Sequence, residues 1–251
     1  MKTALITGAA SGIGRYVAMA LSKQGYSLLL VDLNLAQAQT VAESIVSDGG
    51  NAQAFALNIA NKQDIADFVC QHDNIDVLIN NAGVQHVEAL EHYPEDKWQL
   101  LQDVMLTGPA MLCKAVLPHM RRGGFGRIVN IGSIHALVAS KYKSAYVAAK
   151  HGLMGFGKVL ALETADCDIT VNTICPAYVK TPLVEQQITA QAKQHGISED
   201  EVINNIMLAP MPKKAFIGLD EIAHAVNFLL ANESRNITGQ AIVLDGGWTV
   251  Q

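Results

Sequence analysis

Short apolar runs recur along this chain, each ending in a turn and giving way to a helical pattern, and this alternation most restricts the fold. The runs are Ala4–Ile6, Ser27–Val31, Ala52–Leu57, Ile75–Ile79, Arg127–Ile131, Ile169–Ile174 and Ala241–Leu244. Most are continuously apolar rather than alternating, the pattern of strands buried on both faces of a parallel sheet. Helical patterns lie between them: the glycine loop to about Gln24, Leu35 to Ser47, Lys62 to Cys70, a long region from Pro94 to Arg121, the Tyr146 helix to about Ala165, and Asp220 to Leu230. Right-handed crossovers then give an α/β doubly wound sheet of about seven strands, with a ligand cleft at the strand C-termini. No Pro/Ser-rich linker or repeat divides residues 1–251, so one domain is expected. The segment 181–215 is polar and helical, carries Pro210 and Pro212 near its end and lacks a strand pattern. It reads as a helical lid at the cleft mouth; a plain surface helix pair remains open.

The first strand runs into Gly8-x-x-x-Gly12-x-Gly14, which opens a helix. Glycines at this spacing let the backbone approach a pyrophosphate whose charge sits at the helix N-terminus. Asp32 ends the second strand, where a carboxylate accepts from both hydroxyls of an adenosine ribose and repels a 2′-phosphate. Leu33 and Asn34 follow it, so no adjacent cation offsets that repulsion. NAD is therefore expected rather than NADP. Asn58 and Ile59 end the third strand, where an adenine edge would rest; for Asn58 a helix cap is an equal alternative.

A second constellation runs from Ser133 to Lys150. Ser133 follows a buried strand, and Tyr146 and Lys150 are four apart on a helix, so they share one face. Converging serine, tyrosine and lysine side chains suit proton transfer at an alcohol oxygen. Lowering a tyrosine pKa from ~10 to about 7 takes roughly 4 kcal/mol, which one ammonium at about 4 Å supplies at an effective dielectric of about 20. By itself a Tyr-x-x-x-Lys pair is also a common accident on an alanine-rich helix.

The remaining composition narrows the class. The net charge of −5 argues against a general nucleic-acid surface. No apolar run of about 18 residues suggests a membrane span, and the first residues enter a strand at once rather than building a signal peptide. Cys70, Cys113, Cys167 and Cys175 have no metal-type spacing and read as reduced packing thiols, so a cytoplasmic protein without a bound metal is expected.

Thr7-Gly8-x-x-x-Gly12-x-Gly14, Asn80-Asn81-Ala82-Gly83, Ser133 and Tyr146-x-x-x-Lys150 follow one another in the order and approximate spacing of the short-chain dehydrogenase/reductases, which the whole chain resembles. The resemblance implies a Rossmann-type fold and a homotetramer. It implies Tyr146 as acid–base, Lys150 lowering its pKa and holding the nicotinamide ribose, and Ser133 orienting the substrate oxygen. It further implies NAD contacts from Gly8, Ser11, Gly12, Ile13, Gly14, Asp32, Asn58, Ile59, Asn80, Ala82, Gly83, Tyr146, Lys150, Pro176, Val179 and Thr181. Two positions depart from the family pattern. Met105 stands where an asparagine usually helps hold a relay water, a role its backbone carbonyl can still fill, and Ala177 replaces a common glycine.

Within the family the chain is most similar to the soluble D-3-hydroxybutyrate dehydrogenases, through Gly83-Val-Gln85-His86, Ser133-Ile-His135, Lys143-Ser-Ala-Tyr146, Thr181-Pro-Leu-Val-Glu-Gln-Gln187 and Gly246-Gly247-Trp248. That likeness implies that Gln85, His135, Lys143 and Gln187 bind a substrate carboxylate beside Ser133 and Tyr146. A desolvated carboxylate requires a cation and several donors, which these residue types supply. Tyr178 stands where a tryptophan is expected to wall the methyl end, and Trp248 either closes the pocket or packs. The expected reaction is reversible oxidation of D-3-hydroxybutyrate to acetoacetate with NAD. The alternatives are a short-chain enzyme for another hydroxy acid, a polyol or a 3-oxoacyl thioester, and a catalytically silent NAD-binding regulator.

Overall fold

The computed structural model describes residues 1–72 and 74–250. Strands β1 (Thr3–Thr7), β2 (Ser27–Asp32), β3 (Asn51–Ala56), β4 (Val77–Asn80), β5 (Gly126–Ile131), β6 (Ile169–Pro176) and β7 (Ala241–Leu244) form one sheet. Its order is β3-β2-β1-β4-β5-β6-β7, and every neighbouring pair is parallel. The chain winds outward from β1 to β3, then returns to the other side of β1 as β4. That reversal leaves a crevice beyond the C-terminal ends of β1 and β4, where such sheets bind ligands.

Alternation along each strand explains how both faces are filled. On β2, Leu28 and Leu30 face the layer built with α1 (Gly12–Ser22), α2 (Leu35–Ser47) and α9 (Leu219–Leu230), joining Val17, Leu21, Ile45 and Val226. Leu29 and Val31 face the opposite layer, with α3 (Lys62–Cys70), α5 (Gly108–Gly123) and α6 (Ser144–Glu163), joining Ile65, Leu112, Val116 and Leu160. Two-sided burial is why the runs read as continuous apolar stretches. One boundary moves. The fourth strand begins at Val77 rather than Ile75; just before it Asp76 is bonded to β1 twice, its carboxylate accepting from the Thr3 N–H at 2.7 Å and its own N–H donating to the Thr3 carbonyl at 3.0 Å.

The long helical region is three pieces. α4 (Glu95–Gln102) passes through a π-helical turn, Asp103–Thr107, into α5. Taken together, Glu95–Gly123 contains an 18-residue stretch of mean hydropathy 1.3, long and apolar enough to cross a bilayer by length and composition alone. Leu101, Met105, Leu112, Cys113 and Val116 are nevertheless buried in the second layer, so this is a core helix of the sheet.

Segment 181–215 contains α7 (Pro182–His195), α8 (Glu199–Val202) and a second π turn, Ile203–Met207. Val184, Ile188, Val202 and Met207 make a small apolar cluster of their own, against which Tyr178 and Phe216 pack. Just outside the two ends of this segment, Val179 and Ile217 pair with each other through an isolated parallel bridge.

Candidate active site

The crevice at the switch point is a cleft of about 360 Å³. One end is the glycine loop. Gly8 has φ +64°, a left-handed backbone that favours glycine, and an added Cβ would meet the Ala82 Cα at 2.8 Å. Ser11 sits at the N-cap of α1 but makes no side-chain cap bond, so that helix end keeps N–H groups for an anion. Thr181 caps α7, accepting from the Val184 N–H at 3.4 Å, and lies against the face of Gly12. Two helix N-termini therefore border the same space.

Asp32 marks the other end. Its carboxylate accepts from the Ala10 N–H at 3.1 Å and the Asn34 N–H at 3.0 Å, which fixes its plane while it still lines the cleft. The helix cap nearby is Asn61, which accepts from the Gln63 and Asp64 N–H groups. Asn58 instead turns its oxygen to the Ala60 N–H and lines the cleft with Ile59. This glycine loop, the uncapped helix end and the distal carboxylate fit a dinucleotide.

Of the sixteen positions expected to contact NAD, fourteen line this cleft and two do not. Gly14 faces inward, where a Cβ would collide with the Gly8 carbonyl, so it packs the helix against the loop. Asn80 is buried and donates to the Asn130 oxygen at 2.9 Å. The cleft wall carries its neighbour Asn81, whose amide donates to the Thr7 and Gly8 carbonyls at 2.9 and 3.1 Å and holds the loop. Strand periodicity is the signal that separates the two: β4 ends at Asn80, still inside the sheet, and Asn81 is the first residue to emerge.

Ser133, Tyr146 and Lys150 share the cleft floor. Lys150 is buried and donates to the Ile131 carbonyl at 2.7 Å, while its Nζ lies 5.7 Å from the Tyr146 ring centroid. Burial pushes Lys150 down to about 8. Burial also pushes Tyr146 up to about 12, with a hydrogen bond from Ser133 pulling the other way. In the free protein desolvation therefore sets the direction of the Tyr146 shift.

The carboxylate-binding candidates divide. His135 and Lys143 are buried together beyond Ser133. Lys143 donates to the Tyr178 hydroxyl at 3.2 Å and lies 3.5 Å from His135 Nε2. His135 packs edge-on to Tyr146 and to Trp248, and Trp248 stacks on Tyr178 at 6.2 Å. Burial lowers Lys143 to about 8; burial, then the Lys143 charge, lowers His135 to about 4. The imidazole is thus the neutral partner and the lysine the cation. Gln85 turns its oxygen back to the His86 N–H at 3.3 Å, and Gln187 lies on α7 with its Oε1 buried and unpartnered among the described residues. Among the described residues neither is hydrogen-bonded to Lys143, whose partners are His135 and Tyr178. Tyr178 and Trp248, ambiguous in the sequence, emerge as the wall that joins the lysine to the reaction floor.

The motifs recur in known proteins. A family model described as short chain dehydrogenase matches residues 2–192. A D-beta-hydroxybutyrate dehydrogenase of Rhizobium meliloti is 42% identical over 100% of this chain and 99% of its own length. A D-beta-hydroxybutyrate dehydrogenase of Cupriavidus necator is 39% identical over 100% of this chain and 98% of its own. Among solved structures, an actinorhodin polyketide ketoreductase with NADPH superposes with a TM-score of 0.93 at 30% identity, covering 98% of this chain and 97% of that one. With the parallel seven-stranded sheet, the glycine loop at its switch point and the Ser133–Tyr146–Lys150 floor, these likenesses place the chain in the short-chain dehydrogenase family of oxidoreductases.

Proposed function

We propose that this oxidoreductase catalyses reversible oxidation of D-3-hydroxybutyrate to acetoacetate with NAD. The observation that carries the substrate class is Lys143: an ammonium only 5% exposed, with two neutral partners and no carboxylate partner among the described residues. A buried cation of this kind is costly unless an anion completes it. A short hydroxy acid supplies that anion while placing its alcohol carbon toward Ser133 and Tyr146. The two hydroxybutyrate dehydrogenase relatives support the same choice.

In this reading Ser133 hydrogen-bonds the substrate oxygen, Tyr146 takes its proton during oxidation and returns it during reduction, and Lys143 fixes the carboxylate. The bound dinucleotide supplies the hydride acceptor. Lys150, anchored on the Ile131 carbonyl, holds the nicotinamide ribose and opposes the rise in the Tyr146 pKa. Gln85 and Gln187 reach the carboxylate by side-chain rotation, and α7 closes over it as part of a lid spanning 181–215. The same reading takes residues 1–251 as one domain that assembles as a cytoplasmic homotetramer.

For the cofactor, the preference for NAD rests on Asp32 at the cleft end and on Ser11 and Leu33 beside it. Lys150, on the reaction floor, is the one cation among the described lining residues. A 2′-phosphate carrying about −1.5 to −2 charge would face Asp32 uncompensated. Wild-type enzyme should oxidise 3-hydroxybutyrate with kcat/KM for NAD at least about tenfold above NADP, a difference of about 1.4 kcal/mol. Asp32→Ala should narrow that ratio. Absorbance of the reduced nicotinamide, read over a panel of short hydroxy acids, polyols and a 3-oxoacyl thioester, tests substrate and cofactor together. Equal use of both cofactors, or preference for the thioester, rejects the assignment.

Met105 bears on the proton path. It is 1% exposed, and it sits within the π turn with its sulfur facing Gly83. A π turn alters backbone pairing where it occurs, and in this reading a carbonyl of the turn holds the relay water whatever the side chain. Met105→Ala should therefore cost stability, about 2–5 kcal/mol for a buried truncation, yet change kcat only a few-fold. Steady-state rates on protein whose folding is checked by circular dichroism decide it. A loss beyond tenfold in folded protein would show that the thioether itself matters.

A further inference from the structure

The hydroxyl of Tyr178 has an unfinished hydrogen-bond account. Its oxygen accepts from Lys143 Nζ at 3.2 Å, and no acceptor for its own proton occurs among the described residues. A phenol donor left without an acceptor in a largely buried position costs free energy unless water or a ligand completes it. The ring that carries it is well fixed. It stacks on Trp248 with an interplanar angle of 19°, the Lys143 ammonium lies 5.2 Å from its centroid, and its backbone carbonyl accepts from the Ile217 N–H at 2.9 Å. The oxygen therefore stays beside Lys143.

We propose that Tyr178 is a ligand of the substrate carboxylate, donating its O–H to that group beside the Lys143 ammonium. This rests on the hydroxy-acid reading above and adds a specificity-determining residue to it. Lys143 and Tyr178 present two different donors within 3.2 Å of each other, and a carboxylate has two oxygens able to accept both. Burial raises the Tyr178 pKa, so the phenol keeps its proton and remains a donor. The same ring belongs to the apolar cluster with Val184 and Ile188 of α7, which places the carboxylate contact at the root of the segment that covers the cleft. A tryptophan at this position would offer the stacking surface without a hydroxyl beside the lysine.

The test measures acetate binding to enzyme saturated with NAD, by tryptophan fluorescence, because acetate carries the recognised group without the reacting one. Tyr178→Phe should weaken acetate about tenfold, as expected for one hydrogen bond to a charged group, while leaving the neutral isostere acetamide unchanged. Tyr178→Trp keeps an aromatic plane and should show the same loss, which guards against a folding defect in the first variant. In a Lys143→Met background, titrated to molar acetate, adding Tyr178→Phe should weaken binding again. Unchanged acetate affinity in Tyr178→Phe overturns the proposal, as does an equal loss for acetate and acetamide, or no further loss in the Lys143→Met background. Turnover of 3-hydroxybutyrate is scored separately. Its absence, beside a tenfold acetate effect, would reject that substrate and leave Tyr178 as a carboxylate ligand.

Discussion

Tyr146→Phe is expected to lower kcat for 3-hydroxybutyrate oxidation by ~10²–10⁴-fold, the usual contribution of a positioned acid–base. The ring remains to pack beside His135, and Lys150 keeps its bond to the Ile131 carbonyl. NADH affinity should therefore stay nearly intact. The pH dependence supplies an independent check. Burial holds the phenol up to about 12 in the free protein, so below that value the protonated donor form predominates. Reduction, which needs the phenol, should be supported at neutral pH. Oxidation needs the phenolate, and its rate should climb as pH rises toward the Tyr146 pKa in the ternary complex. Tyr146→Phe should abolish that climb. A variant keeping more than about a tenth of kcat, or retaining the wild-type pH slope, would show that another group moves the proton.

The parts legible in the sequence are those governed by local rules. Continuous apolar runs identify strands because two-sided burial leaves no polar face, as Leu28–Val31 show. The glycine loop is legible because few folds need three glycines between a strand and a helix. The parts that were not legible depend on where the chain emerges from the sheet or on long-range neighbours. Asn80 and Asn81 are chemically identical, and only the end of β4 decides which reaches the cleft. The π turn around Met105 has no composition signal; it goes with Gly108, which packs so closely on the Ile59 carbonyl that a Cβ would not fit. The direction of the Tyr146 pKa depended on desolvation by the whole fold, which a pairwise estimate from Tyr146 and Lys150 omits. Tyr178 needed the structure because its partner, Lys143, lies 35 residues away in the chain.

Lys143→Ala should reduce kcat/KM for 3-hydroxybutyrate by roughly 30-fold or more, since removing the charged partner of a buried anion costs about 2–5 kcal/mol and 1.4 kcal/mol is a decade. The lysine has no carboxylate partner of its own among the described residues, so its removal strands no protein charge. The activity loss should therefore exceed any fall in Tm. A neutral secondary alcohol of similar size separates the two roles Lys143 could have. If the ammonium reads the acid, the variant should barely change the alcohol's already poor turnover; if it supports Tyr146 or the floor, both substrates lose alike. The pH arm follows from burial, which lowers Lys143 to about 8. Below that value the group is charged and binds the acid. As pH rises through it the charge is lost, so KM for the acid should rise while KM for the neutral alcohol stays flat. Lys143→Ala should erase that rise. Wild-type enzyme that turns over the neutral alcohol as well as the acid would remove the hydroxybutyrate assignment and leave a short-chain dehydrogenase of another substrate.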